Sequence, residues 1–144
     1  MMLGSWMGSD FTNDDIVRES SYVDDYDTEL VGPSKKPDPD GWLIDMKAKK
    51  GVVGLWERME FVVSKDGATP LISRYYDRKG RLSRIMEFSD VRDFGGRSVP
   101  ARMTLKPVDR KKKGYSTIFM YDSIKFDVKL KPGTFEQSAL RRKR

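Results

Sequence analysis

Residues able to do chemistry are few in this chain, and what is missing narrows the field first. The 144-residue sequence contains no cysteine and no histidine. Thiol nucleophiles, disulfide scaffolds, Cys/His zinc sites and every triad with an imidazole base are therefore excluded. Carboxylates remain, with Glu57 and Glu60 as the nearest approach to an acid–base pair. An odd separation along a strand sends two side chains to opposite faces, so these two do not converge. The acidic run Asp24-Asp25-Tyr26-Asp27-Thr28-Glu29 has the look of a calcium loop. An EF-hand beginning at Asp25 needs Gly at its sixth position and Glu at its twelfth, where Leu30 and Lys36 stand. The sequence thus offers no catalytic residue, no metal ligand set and no cofactor motif, and it reads as non-enzymatic.

Charge is the next resource. The formal net charge is +6, unevenly spread. Residues 1–40 hold ten acidic and three basic residues, a net −7, and the remainder carries +13. Such a split marks two segments with different partners or an acidic segment packed on a basic sheet. Arg110–Lys113 and Arg141–Arg144 are basic clusters suited to phosphate. They equally suit a charged hairpin tip and a solubilising tail, and no RNP-type aromatic signature or reading helix accompanies them. A basic β-sheet module that binds nucleic acid or another protein is kept as the alternative function.

The third resource is apolar. Eight methionines and sixteen Phe, Trp and Tyr side chains recur at a spacing of two. Trp42, Ile44 and Met46 alternate with Leu43, Asp45 and Lys47; Leu55, Glu57, Met59, Phe61 and Val63 with Trp56, Arg58, Glu60 and Val62. Leu82, Arg84, Met86 and Phe88 share one face, as do Val99, Ala101, Met103 and Leu105. Ile124, Phe126, Val128 and Leu130 alternate with Lys125, Asp127 and Lys129, the cleanest pattern in the chain. Strict alternation is the mark of a sheet with one apolar and one wet face. Methionine, flexible and polarizable, suits a surface that accepts varied apolar partners.

These strands need turns, and the turns are present. Ser64-Lys65-Asp66-Gly67 and Asp77-Arg78-Lys79-Gly80 read as hairpin tips, and Phe94-Gly95-Gly96-Arg97 and Lys112-Lys113-Gly114 punctuate the later strands. Gly32–Gly41, with three prolines, reads as an exposed loop. Counting Tyr26–Val31 as a first strand predicts about eight strands in an antiparallel meander. A short helix is expected over Asn13–Ser20, capped by Ser9 or Thr12, and a helical turn over Thr134–Leu140. The fold class is mainly β: a curved antiparallel sheet or unclosed barrel with one or two short helices. One short helix does not cover the inner face of so many strands. A further segment, a second chain or an apolar ligand must complete the burial. The start of the chain has no basic n-region and no adequate h-region, so it is not a secretory signal. The longest apolar run, Val52–Trp56, falls far short of the roughly 20 residues of a membrane span.

Three stretches carry a family likeness. Gly4-Ser5-Trp6-Met7-Gly8-Ser9-Asp10-Phe11-Thr12-Asn13-Asp14-Asp15 is the first, and Pro70-Leu71-Ile72-Ser73-Arg74-Tyr75-Tyr76-Asp77-Arg78-Lys79-Gly80 with Met86-Glu87-Phe88-Ser89-Asp90-Val91 the second. The third is Gly95-Gly96-Arg97-Ser98-Val99-Pro100-Ala101-Arg102-Met103. Together they resemble the LolA-like outer-membrane lipoprotein-sorting proteins, in order and over nearly the whole chain. The resemblance implies an unclosed antiparallel barrel with a helical lid and an apolar hollow that receives acyl chains. It implies a periplasmic, non-catalytic carrier that delivers lipoproteins or lipids toward the outer membrane, with an inner-membrane transporter and an outer-membrane acceptor as partners. Residues 1–144 then form a single domain matching the C-terminal portion of the family domain, without its N-terminal strands, helices and export signal. It assigns the family's functional arginine to no position here. Trp42, Met46, Met59, Phe61, Met86, Phe88 and Met103 are expected to line the hollow, with Trp6 and Met7 as a mobile edge. A monomer or an edge-paired oligomer is expected.

Overall fold

The computed structural model describes residues 4–13, 15, 22–52, 56–108 and 114–137. A four-residue helix, α1 (Tyr22–Asp25), leads into β1 (Tyr26–Pro33). There follow β2 (Trp42–Ala48), β3 (Arg58–Val63), β4 (Pro70–Tyr76), β5 (Leu82–Asp93), β6 (Ser98–Pro107) and β7 (Thr117–Met120). Every strand pairs antiparallel with the one before it, in the order β1-β2-β3-β4-β5-β6-β7. The first and last strands do not meet, so the sheet remains an open meander rather than a closed barrel.

The turns behave as their residues require. Gly67 and Gly80 take positive φ values of 73° and 72°, and their amides donate to the Ser64 and Asp77 carbonyls at 2.8 Å. This reversal suits glycine because no Cβ meets the preceding carbonyl. Phe94 donates to Arg97 across the third tip at 2.9 Å.

Register places the apolar residues on one face. Met46 sits opposite Met59, Met59 opposite Tyr75, Tyr75 opposite Arg84, Met86 opposite Leu105 and Met103 opposite Phe119. The buried cluster of Tyr26, Met46, Trp56, Met59, Tyr75, Met86 and Leu105 lies on this inner face, joined by Phe11. The outer face carries the charges. Arg58 Nε donates to Asp45 at 2.6 Å and its Nη2 to Glu60 at 2.7 Å. Tyr76 donates to the other Glu60 oxygen at 2.9 Å, and burial together with that bond pushes the Tyr76 phenol up. Glu60 is thus engaged in a surface network, while Glu57 is exposed. The Gly32–Gly41 loop folds back on the outer face, where Asp38 binds Arg74 and Asp40 meets Lys65 at 3.1 Å. Acidic residues of the N-terminal part therefore pair with basic residues of the sheet, as charge patterning allows.

Three expectations change. The described residues hold seven strands, and Ile124–Leu130 is not one of them. Tyr121 makes the last ladder-like bond, to Ala101 at 2.8 Å. Beyond it Asp127 adopts φ 53°, which interrupts an extended chain. The segment is tied locally instead: Arg97 binds Asp127 at 2.7 Å and lies 4.6 Å from the Phe126 ring. In its place β7, which the sequence reading did not single out, completes the sheet. Strand β3 begins at Arg58 rather than at Leu55, which lies outside the described residues. Most of the Asn13–Ser20 helix, the ends of the 134–140 turn and both basic clusters also lie outside them.

Leu105 is fully buried, so Leu105→Ala is expected to cost about 2–5 kcal/mol in urea unfolding. At Gly41 an added Cβ would stand 2.1 Å from the Val63 carbonyl oxygen. Gly41→Ala is therefore expected to lower the urea midpoint, because the obstacle is backbone that cannot rotate away.

Candidate functional site

The N-terminal segment crosses the inner face. Residues 4–13 fold into a narrow loop in which Trp6 donates to the Phe11 carbonyl at 2.7 Å and Asn13 to Gly4 at 3.0 Å. Phe11 and Trp6 pack on Phe119 of β7, with ring centroids 6.2 and 6.5 Å apart. Thr117 donates its hydroxyl proton to Asp10 at 3.0 Å. At the other end Tyr22 of α1 meets Phe61 of β3 edge-on at 5.7 Å.

Between segment and sheet lies a hollow of about 530 Å³, within the range of small-molecule sites. Phe61 and Tyr75 form one wall, Met86, Phe88 and Met103 the floor, and Phe119 and Tyr121 the far wall. Trp6, Phe11, Asp15 and Tyr22 close it from the side of the crossing segment. Of the expected lining, Phe61, Met86, Phe88 and Met103 border the hollow, and so does Trp6 of the expected edge. Met46 and Met59 are in the packed core and do not border it. Trp42 is held at the hairpin end, where its indole donates to the Lys65 carbonyl at 3.1 Å and Lys65 Nζ lies 4.8 Å from its ring. Met7 points to solvent, 86% exposed.

Sequence reasoning missed Phe11, Asp15, Tyr22, Tyr75, Phe119 and Tyr121. The unbroken Ile118-Phe119-Met120-Tyr121 run shows no alternation, so nothing in it betrays which side faces inward. Tyr75 lies in a strand flanked by two recognised tips, and its inward position follows only once the register with Met59 is known.

One charged pair stands in this apolar setting. Arg84, 4% exposed, extends from β5 on the inner face. Its guanidinium lies 4.5 Å from the Trp56 ring and 4.6 Å from the Tyr75 ring. Both terminal nitrogens bind the Asp15 carboxylate, Nη1 to Oδ2 at 2.7 Å and Nη2 to Oδ1. Among the described residues, Arg84 Nε is buried without a hydrogen-bond partner. Asp15 Oδ2 also accepts from the Thr12 amide and hydroxyl, each at 2.8 Å. Burial alone would raise the Asp15 pKa; the Arg84 bonds, the guanidinium charge and the Thr12 bonds outweigh it and hold the carboxyl below its ordinary range. Burial pushes the Tyr75 phenol up, so it stays neutral beside this pair. The signal for Arg84 was its position among Leu82, Met86 and Phe88, a charge on an apolar face.

Against known proteins, a family model described as "Uncharacterized protein-like" matches residues 1–142. The chain belongs to that family. No curated protein matches the sequence. Among solved structures, a DUF1329 family protein from Desulfovibrio piger ATCC 29098 superposes with a TM-score of 0.81 at 30% identity, over 96% of this chain and 56% of that one. A protein described as a putative outer membrane lipoprotein-sorting domain, from Vibrio parahaemolyticus, gives 0.78 at 20% identity over 98% and 58%. A LolA superfamily protein from Nitrosomonas europaea gives 0.76 at 18% identity over 96% and 61%. The fold is LolA-like, as the residue resemblance implied. The chain spans somewhat more than half the length of each of these relatives. Among the described residues no helix is long and apolar enough to cross a membrane.

A carboxyl with a lowered folded pKa adds stability above its unfolded value, about 3.9, and that contribution is lost as pH falls through the folded value. Acid titration of urea stability is therefore expected to decline more steeply below about pH 4 in the wild type than in Asp15→Asn.

Proposed function

We propose that this protein is a non-catalytic carrier that shelters acyl chains of lipoproteins or free lipids in the hollow between its sheet and the crossing segment. The observation that carries this reading is the hollow itself. Its walls are aromatic rings and methionines, and among the described residues Asp15 is the only ionisable group of its lining apart from tyrosine phenols. Such a wall offers dispersion contact and exclusion of water. The fold relatives, described as lipoprotein-sorting and LolA superfamily proteins, support the same reading, and with it a periplasmic setting and exchange with a membrane donor and an acceptor.

Energetics favour transfer over storage. Each buried methylene is worth about 0.8 kcal/mol, so a chain of about sixteen carbons offers roughly 12 kcal/mol gross. Association costs of about 4–15 kcal/mol remove much of that. The balance is a moderate affinity, which a carrier needs in order to release. Half-buried Met103 and Phe88 supply part of the contact, and methionine adapts to cargo of varied shape. The expected roles of Trp6 and Met7 differ: Trp6 borders the hollow and is proposed to contact cargo, whereas Met7 faces solvent. Met46, Met59 and Trp42 act through the core and the hairpin end.

Native mass spectrometry of the purified chain before and after delipidation, followed by rebinding of a fluorescent fatty acyl probe, tests the carrier. A co-purifying acyl species and saturable, salt-insensitive rebinding are expected; steeply salt-dependent binding of nucleic acid in their place would favour the basic-module alternative. Met103→Gln is expected to weaken probe binding about tenfold, from the loss of buried apolar contact. Met7→Gln, on an exposed side chain, is expected to leave it unchanged.

A further inference from the structure

Arg84 is a buried arginine whose carboxylate partner, Asp15, comes from outside the sheet. The components are fixed unequally. Arg84 is set in the middle of the sheet, paired through β5 to β4 and β6, and its guanidinium lies against both Trp56 and Tyr75, whose rings pack on each other at 5.3 Å. Its two terminal nitrogens present the planar fork that fits any carboxylate bidentately. Asp15 reaches that fork from the crossing segment, and Asp15 itself borders the apolar hollow. Arg84 stands directly behind it. Its buried Nε–H has no hydrogen-bond partner among the described residues, so the guanidinium retains donor capacity beyond what Asp15 uses.

We propose that Arg84 is the headgroup site for cargo bearing a free carboxylate, a long-chain fatty acid, whose carboxylate replaces that of Asp15 while its chain fills the hollow. This rests on the carrier reading above and adds to it a class of cargo and the residue that selects it. The exchange is close to isoelectric. One carboxylate leaves the guanidinium and another arrives, so no buried cation is left uncompensated, and the large cost of an unpaired buried charge is avoided. Asp15 returns toward solvent as an ordinary carboxylate. An ester or alcohol of the same length has no charge with which to displace it. Such cargo fills only the apolar part of the hollow and leaves the Asp15–Arg84 pair in place.

The test is competition by palmitate and by methyl palmitate against a neutral fluorescent apolar probe bound to the full chain, at a pH well above the carboxyl range. Palmitate is expected to bind about tenfold more tightly than the ester in the wild type, the surplus of its contact with Arg84, which can also use the Nε–H that Asp15 leaves unpaired, over the Asp15 contact it displaces. Asp15→Asn removes the tethered competitor and is expected to raise that acid-to-ester ratio about another tenfold, with palmitate raising the melting temperature of the variant more than that of the wild type. Arg84→Met keeps an apolar side chain of similar length and is expected to bring the ratio to unity while ester binding persists. Ester bound as tightly as acid in the wild type would overturn the proposal and leave the carrier reading intact. So would an Asp15→Asn ratio no higher than that of the wild type. Failure of both ligands to displace the probe, with no probe binding of its own, would overturn the carrier reading and this proposal together. The wild-type ratio decides the matter even if Arg84→Met fails to fold.

Discussion

An open sheet has two faces, each of which must be satisfied by packing or by water, and this constraint shapes the rest of the described structure. The outer face resolves it with charge: Asp45, Arg58, Glu60 and Arg74 pair with one another and tie β2, β3 and β4 together. On the inner face, described residues of the N-terminal segment meet the sheet at three places, Trp6 at Phe119, Asp15 at Arg84 and Tyr22 at Phe61. Close contact at those places leaves a hollow between them. The cavity lies between these points of contact, and Phe61 and Phe119 both receive the N-terminal residues and border it.

Within that arrangement the Asp15–Arg84 pair has an unusual position. Burial of an ion pair costs desolvation that its mutual attraction only partly offsets, so such a pair is weak evidence for stability. What it confers is registry. Hydrophobic contact is non-directional, and Trp6 or Phe11 would find comparable area on several parts of the inner face. A bidentate contact to a guanidinium held against two packed rings fixes the placement of residue 15. Thr12, which hydrogen-bonds the same carboxylate, extends that placement back toward the loop that packs on β7.

Much of the fold was legible because alternation and turn glycines are local signals. The β2, β3, β5 and β6 residues that alternate in sequence are those that alternate across the sheet, and the tips at Gly67 and Gly80 fall where expected. The clearest pattern, Ile124–Leu130, failed because alternation states only that a strand would have two distinct faces. It does not supply a neighbour with free amides, and the contacts of Arg97 with Asp127 and Phe126 hold that segment in another shape. The site was half legible for a related reason. Phe61, Met86, Phe88 and Met103 were recoverable as inward residues, but inward includes both packed core and open hollow. Which of the two a methionine joins depends on where the crossing segment lies, and that is a tertiary fact. Met59 is covered by its neighbours, whereas Met103, on the strand next to that of Arg84 and beside Phe119, is left facing space.

The presence of a charge in an apolar wall also bears on release. A hollow lined only by hydrocarbon binds any chain in proportion to buried area and has no means of distinguishing occupied from empty except by volume. A wall that includes an ion pair has a second state available, in which one ion exchanges partners at little net cost in charge. Its covering segment is then coupled to the identity of what occupies the hollow, because the same carboxylate that anchors Asp15 to Arg84 is the group a competing anion would replace. Differential interaction of this kind is what any ligand-dependent change of state requires. In this fold it arises from a single arginine placed where the strand pattern calls for an apolar side chain.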